Sequence, residues 1–210
     1  MNHLLNFISL KNHYFALRHG ESMANVEGLI VSTPESGVPK YGLSDEGRAQ
    51  VTRSVTRAKE NNELDANTRI ISSDFKRAHE SAKIAQQLLT SIHPIELDAK
   101  LRERDFGDFE LMDNTHYQTV WDNDAIDSSH TIDNAESADA VMQRATAVVT
   151  SLEEQFSGET FLLVAHGDTL QILQAAFKKY PASKQREMTH LETAEIRDLT
   201  LSQAHPPTFT

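Results

Sequence analysis

Along this chain, short apolar runs that stop abruptly at Gly or polar residues alternate with longer stretches whose apolar positions recur at helical spacing. His13 to Leu17 favours an extended backbone and ends at Arg18-His19-Gly20, which predicts a first strand. Residues 20–42 are rich in Gly, Pro, Ser, Thr and Asn and read as a long loop, of a length that usually carries function in a compact domain. Ser44 is placed to cap a helix running to about Asn61, with Asp45 and Glu46 in its first turn where the helix dipole favours them. Thr68 to Ser73 predicts a strand and Phe75 to Leu89 a helix, followed by a weaker strand over Pro94 to Leu97. Arg102 to Asp113 is charged and aperiodic, hence loop, and Asn114 to Asn134 predicts a short helix and a connector. Glu136 to Phe156 places Ala138, Val141, Met142, Ala145, Val148, Val149 and Leu152 on one helical face and meets a stop at Gly158. Phe161 to Ala165 is wholly apolar, the mark of a central parallel strand buried on both sides. A helix over Thr169 to Lys179, ended by Pro181, a last strand over His190 to Leu201 and a loose tail at Pro206-Pro207 complete the pattern.

Alternating strands and helices predict a three-layer α/β/α sandwich with a mainly parallel sheet. A length of 210 residues suits a single domain, with the segment at about 98–135 as an insertion covering the site. Charge narrows the partners: 31 acidic against 20 basic side chains give a net charge of −11, a field that disfavours nucleic acid and anionic membranes. No apolar run approaches a membrane span. With no cysteine there is no disulfide, thiolate metal site or cysteine nucleophile. Met1 to Leu10 lacks both a basic start and a small-residue cleavage pattern, so the expected location is cytoplasmic.

The chemistry gathers at strand ends, where open α/β sheets bind ligands. Arg18 offers a planar cationic fork suited to phosphate, and His19 can act as nucleophile, base or acid near neutral pH. A second His-Gly pair, His166-Gly167, follows the Phe161 strand; Ile70-Ile71-Ser72-Ser73-Asp74 leads into Arg77, and Leu101-Arg102-Glu103-Arg104-Asp105-Phe106-Gly107 lies between them. In order and spacing these four segments, with Leu43-Ser44-x-x-Gly47-x-x-Gln50, resemble the histidine phosphatase superfamily, which holds the cofactor-dependent phosphoglycerate mutases and related phosphatases. The resemblance spans residues 14 to about 168 and implies a phosphoglycerate mutase-like fold. It further implies His19 as the residue phosphorylated in turnover, His166 as stabiliser of the transferring phosphoryl group, and Glu103 as proton donor. Arg18 and Arg77 belong to the catalytic set by neutralising the phosphate oxygens, and Arg18, Arg77, Ser22, Asn25, Glu103 and Gly167 are substrate-binding positions, Ser22 and Asn25 with the alternative of only shaping the loop.

Each residue also has a plainer reading. Glu103, between two arginines, could be an ion-pair member, and Arg77 a surface residue of a first helical turn. His79, His93, His116 and His130 are read as surface or structural. A site of two histidines and one carboxylate would suit a metal, but the neighbouring arginines would repel a divalent ion, so neither metal nor cofactor is expected. Phe109, Leu111 and Asp168 depart from the family pattern; a carboxylate at Asp168 would weaken phosphate binding or select a hydroxyl or amine. Thr115 to Asn134 contains no Arg or Lys, which favours hydrolysis of a small phosphorylated metabolite over mutase chemistry. A phospholigand-binding module with little chemistry is the third alternative.

Overall fold

The computed structural model describes residues 1–203. In chain order it comprises β1 (His13–Arg18), α1 (Met23–Glu27), α2 (Pro34–Gly37), α3 (Asp45–Glu60), β2 (Arg69–Ser72), α4 (Lys76–Leu89), β3 (Glu96–Leu97), α5 (Tyr117–Ile126), α6 (Ala138–Gln155), β4 (Thr160–Ala165), α7 (Gly167–Phe177) and β5 (Ile196–Asp198), with short 3-10 turns between some of them. The strands form one sheet in the order β3-β2-β4-β1-β5. The first four strands in that order pair in parallel, and β5 runs antiparallel to β1.

The apolar run of β4 explains the layers. Successive strand residues point to opposite faces, so Phe161, Leu163 and Ala165 pack with α6 and α7, while Leu162 and Val164 pack with α3 and α4. Each such Leu or Val, fully buried, contributes roughly 1.5–3 kcal/mol. The α6 face read from the sequence is the buried one. On the other side the alanines of α4, Ala78, Ala82 and Ala85, are buried against the Val51 and Val55 stripe of α3. Ser44 accepts from the Gly47 amide, as expected of an N-cap. The three-layer α/β/α arrangement is therefore present, with helices on both faces of a mostly parallel sheet.

Three expectations need correction. The loop over 20–42 contains two short helices, α1 and α2: Ser22 and Asn25 cap the first reciprocally, and Pro34 opens the second at a position that needs no donor. The weak strand reduces to Glu96–Leu97, both exposed at the sheet edge. The last strand is far shorter than 190–201. Residues 192–195 close a turn through Glu195 N–H donating to the Glu192 carbonyl, and Ala194 has φ 60°, a conformation that cannot continue a strand. The Pro206-Pro207 tail lies outside the described residues. Among those residues no helix is long and apolar enough to cross a membrane.

Candidate active site

Topology brings the strand-end motifs together. The chain leaves β1, builds β2 and β3 further out and returns with β4 between β2 and β1, so His19 and His166 emerge from adjacent strands. Their ring centroids lie 5.1 Å apart. This is the switch point at which open parallel sheets bind ligands.

The turn after β1 is held by the Leu-Ser-x-x-Gly segment. Gly20 and Gly47 approach so closely that a Cβ on Gly20 would lie 2.3 Å from the Gly47 carbonyl oxygen, and one on Gly47 would lie 1.9 Å from that of Glu21. Ser44 Oγ donates to Glu21 Oε1 at 2.6 Å, and Gln50 Oε1 accepts from the Glu21 amide at 2.9 Å. These contacts account for why Gly47 and Gln50 accompany the Arg-His-Gly turn in the sequence.

His19 is buried, and its Nδ1 donates to the Gly20 carbonyl at 2.7 Å. Its Nε2 lone pair is thereby left to accept from Arg77 Nε–H at 3.0 Å. Burial, then the Arg77 and Arg18 guanidinium groups, hold its pKa well below the ordinary imidazole value, so the ring is neutral at physiological pH. Arg77, itself buried, also donates to the Val31 carbonyl at 2.9 Å. Arg18 Nη1 donates to the Leu191 carbonyl at 2.7 Å and lies 2.9 Å from His190 Nε2. His166 is fully buried with Nε2 2.8 Å from Ser73 Oγ; burial, then Arg77 and His19, lower its pKa in the same way.

Four buried side-chain polar atoms among the described residues have no hydrogen-bond partner, and three of them belong to this cluster: Arg18 Nε, Arg77 Nη1 and His166 Nδ1. Since an unpaired buried polar group costs roughly 1–3 kcal/mol, three of them on residues around His19 point to a ligand that pairs them. The three residues to which they belong surround His19 at the ends of β1 and β4 and the start of α4.

Glu103 is 9% exposed, and its Oε1 accepts from the amides of Arg104 at 3.0 Å and Thr169 at 3.2 Å. Burial and, after it, the nearby Asp168 carboxylate raise its pKa, against a lowering pull from Arg77. The plain ion-pair reading therefore does not hold: Asp74 pairs with Arg102, Asp124 pairs with Arg104, and Glu103 pairs with neither arginine side chain. Ser22 is fully buried, with its hydroxyl donating to Asn25 Oδ1 at 2.9 Å, so it shapes the turn while Asn25 keeps its amide nitrogen available. Gly167 is the first residue of α7, whose N-terminal end is directed to the same place by the His166 cap.

The site residues predicted from the sequence, except His166, line one cavity of about 200 Å³, together with Leu29, Asn114, Tyr117, Trp121, Asp168 and His190. His190 was not legible as a site residue, because it was read as the start of a last strand and no strand-end motif tied it to Arg18, from whose Nη1 its Nε2 lies 2.9 Å. Asn114, Tyr117 and Trp121 come from the 98–135 segment, and the Tyr117 and Trp121 rings stack 5.4 Å apart. Ser73 was visible in the second strand-end motif, but nothing in the sequence tied it to His166.

Comparison with known proteins gives the class. Residues 14–207 match the histidine phosphatase superfamily (branch 1), and this chain belongs to that family. It is 30% identical over 179 residues to a protein from Escherichia coli O1:K1 named as a probable phosphoglycerate mutase, GpmB, with 83% of this chain and 78% of that one covered. Among solved structures, YhfR of Bacillus stearothermophilus superimposes with a TM-score of 0.72 at 30% identity over 89% of this chain and 90% of that one. A mycobacterial glucosyl-3-phosphoglycerate phosphatase in complex with VO3 gives a TM-score of 0.72 at 22% identity, over 89% and 90% of the two chains, a likeness of fold.

Proposed function

We propose that this protein is a phosphomonoesterase that hydrolyses a small phosphorylated metabolite through a phosphohistidine on His19. The observation that carries this reading is the neutral His19, with Nδ1 fixed on Gly20 and Nε2 directed to Arg77, surrounded by three residues with unpaired buried nitrogens. A phosphoryl group between them pairs Arg18 Nε and Arg77 Nη1 with its oxygens and frees the Nε2 lone pair by taking over the Arg77 donors. With Ser73 O–H donating to His166 Nε2, His166 Nδ1 carries a proton and becomes a third donor. Two fixed guanidinium charges supply the positive field on the transferring group that a metal supplies in other phosphatases.

In the first step Nε2 of His19 bonds to phosphorus, the bond from phosphorus to the ester oxygen breaks, and the Glu103 carboxyl gives its proton to the leaving alcohol. The raised pKa of Glu103 suits it to hold that proton. In the second step the Glu103 carboxylate takes a proton from water, whose oxygen displaces His19 from phosphorus. Inorganic phosphate leaves and both residues return to their starting states.

Hydrolysis of an aryl phosphate tests the reading. Activity that persists in chelator and disappears in His19→Ala is expected; activity lost in chelator and restored by a divalent ion would replace this mechanism with metal catalysis. The Escherichia coli relative's name makes mutase chemistry the second reading, and interconversion of phosphoglycerates without phosphate release would establish it.

A further inference from the structure

One wall of the pocket is made of groups that take no direct part in this chemistry, although Asp168 helps to raise the pKa of Glu103. Asp168 lines the cavity and is 4% exposed. Both of its oxygens accept from Trp121 Nε1–H, at 2.9 and 3.1 Å. Arg104 Nη1 lies 3.5 Å from Oδ2 and Arg186 Nη1 lies 3.6 Å from Oδ1. Arg186 also stacks over the Trp121 ring at 3.6 Å, and Arg104 forms a bidentate pair with Asp124 at 2.6 and 2.8 Å.

This arrangement fixes Asp168 without using up its acceptor capacity. An ionised carboxylate offers about four lone-pair sites, and both guanidinium contacts lie at or beyond hydrogen-bond length. Charge is already matched in the wall, since Arg104 and Arg186 face Asp124 and Asp168. Among the described residues, the cationic side chains that line the cavity are Arg18 and Arg77, both directed to the phosphoryl site. A second anion on the substrate would therefore meet the Asp168 carboxylate and find both neighbouring arginines already matched by Asp124 and Asp168, whereas a hydroxyl would find an oriented acceptor.

We propose that Asp168 is the specificity-determining residue of the site: it accepts a hydrogen bond from a hydroxyl on the alcohol part of the substrate, so that phosphorylated polyols are taken and phosphorylated carboxylic acids rejected. The proposal rests on the phosphomonoesterase reading. The flat Tyr117–Trp121 stack beside Asp168 suits the carbon skeleton of such an alcohol, and a cavity of about 200 Å³ limits it to a small one.

Glycerol 3-phosphate and 3-phosphoglycerate form the matched probe pair, differing only in a hydroxymethyl group against a carboxylate. In the unmodified protein kcat/KM for phosphate release is expected to favour glycerol 3-phosphate by at least about tenfold, because a like-charged contact is built against the acid. Asp168→Asn should bring the two within about threefold of each other. A wild-type ratio near one or in favour of the acid, or a ratio unmoved by Asp168→Asn, overturns the proposal. Should the variant fail to fold, competition against aryl phosphate hydrolysis by the wild type decides: stronger inhibition by glycerol 3-phosphate supports the assignment, and equal or stronger inhibition by the acid overturns it. Aryl phosphate turnover separates the two levels of the account. If it proceeds while the ratio is wrong, Asp168 selectivity alone fails; if nothing is hydrolysed, the phosphatase reading fails and takes this one with it.

Discussion

Acid destabilises this fold through its two buried histidines, and His166→Gln isolates the contribution of one. His166 is fully buried, bonded through Nε2 to Ser73, and its pKa is held well below the ordinary value by burial and by Arg77 and His19. Below an ordinary pKa of about 6.5 the unfolded chain binds a proton that the folded ring refuses. Stability is therefore complete above that pH and falls as the pH drops from about 6.5 towards the lowered folded value. Between about pH 7.5 and 5.5 the loss for one such histidine is on the order of 1 kcal/mol. His19 adds a similar increment, and the less buried His79 and His190, whose pKa values are also lowered, add less because water screens them. Urea denaturation of wild type and His166→Gln at both pH values measures the difference. Glutamine offers its side-chain carbonyl oxygen as the acceptor for Ser73 O–H in place of Nε2, and subtracting the two pH dependences removes what both proteins share, including Glu103, whose raised pKa adds stability as pH falls. The variant should lose on the order of 1 kcal/mol less than wild type on acidification. Identical losses would refute the placement of a neutral, buried imidazole at this position.

Three further outcomes follow from the packing and the site. Gly47→Ala sets a Cβ 1.9 Å from the Glu21 carbonyl oxygen, so thermal melts should show a loss of roughly 1–3 kcal/mol and activity should fall as the His19 turn is displaced. Arg104→Ala strands the buried Asp124 carboxylate and should cost about 3–5 kcal/mol by urea denaturation, most of it recovered in Arg104→Met with Asp124→Leu. Glu103→Gln should lower kcat/KM roughly 10²–10⁴-fold for an alkyl phosphate, whose leaving oxygen needs a proton, and far less for an activated aryl phosphate.

Much of this site was legible because strand-end motifs carry their position with them. An apolar run that stops at Arg-His-Gly or His-Gly announces both a buried strand and side chains at its carboxyl end, and the parallel sheet does the rest. The Leu-Ser-x-x-Gly-x-x-Gln segment was recognisable, but its cause, two backbones in contact at Gly20 and Gly47, needed three dimensions. Alternation misled at 190–201, where Ala194 turns the chain and the side chains of His190 and Arg186 approach the pocket from coil and a 3-10 turn. The absence of Lys and Arg from 115–134 held as sequence, yet Arg186 arrives over Trp121 from elsewhere in the chain. Asp168 was visible as a departure from the family; its Trp121 and arginine partners, 47 and 64 residues away for Trp121 and Arg104, were not.

The proposed mechanism turns on a covalent bond between phosphorus and His19 Nε2. The most direct measurement is brief incubation with an aryl phosphate labelled on phosphorus, an alkaline quench, and mapping of the label by mass spectrometry, using Glu103→Gln to slow attack by water on the intermediate. Label on His19 that survives alkali and is lost in acid is expected, and none in His19→Ala. Acid-stable label on a serine or threonine, or an active Glu103→Gln protein that never labels, would contradict it.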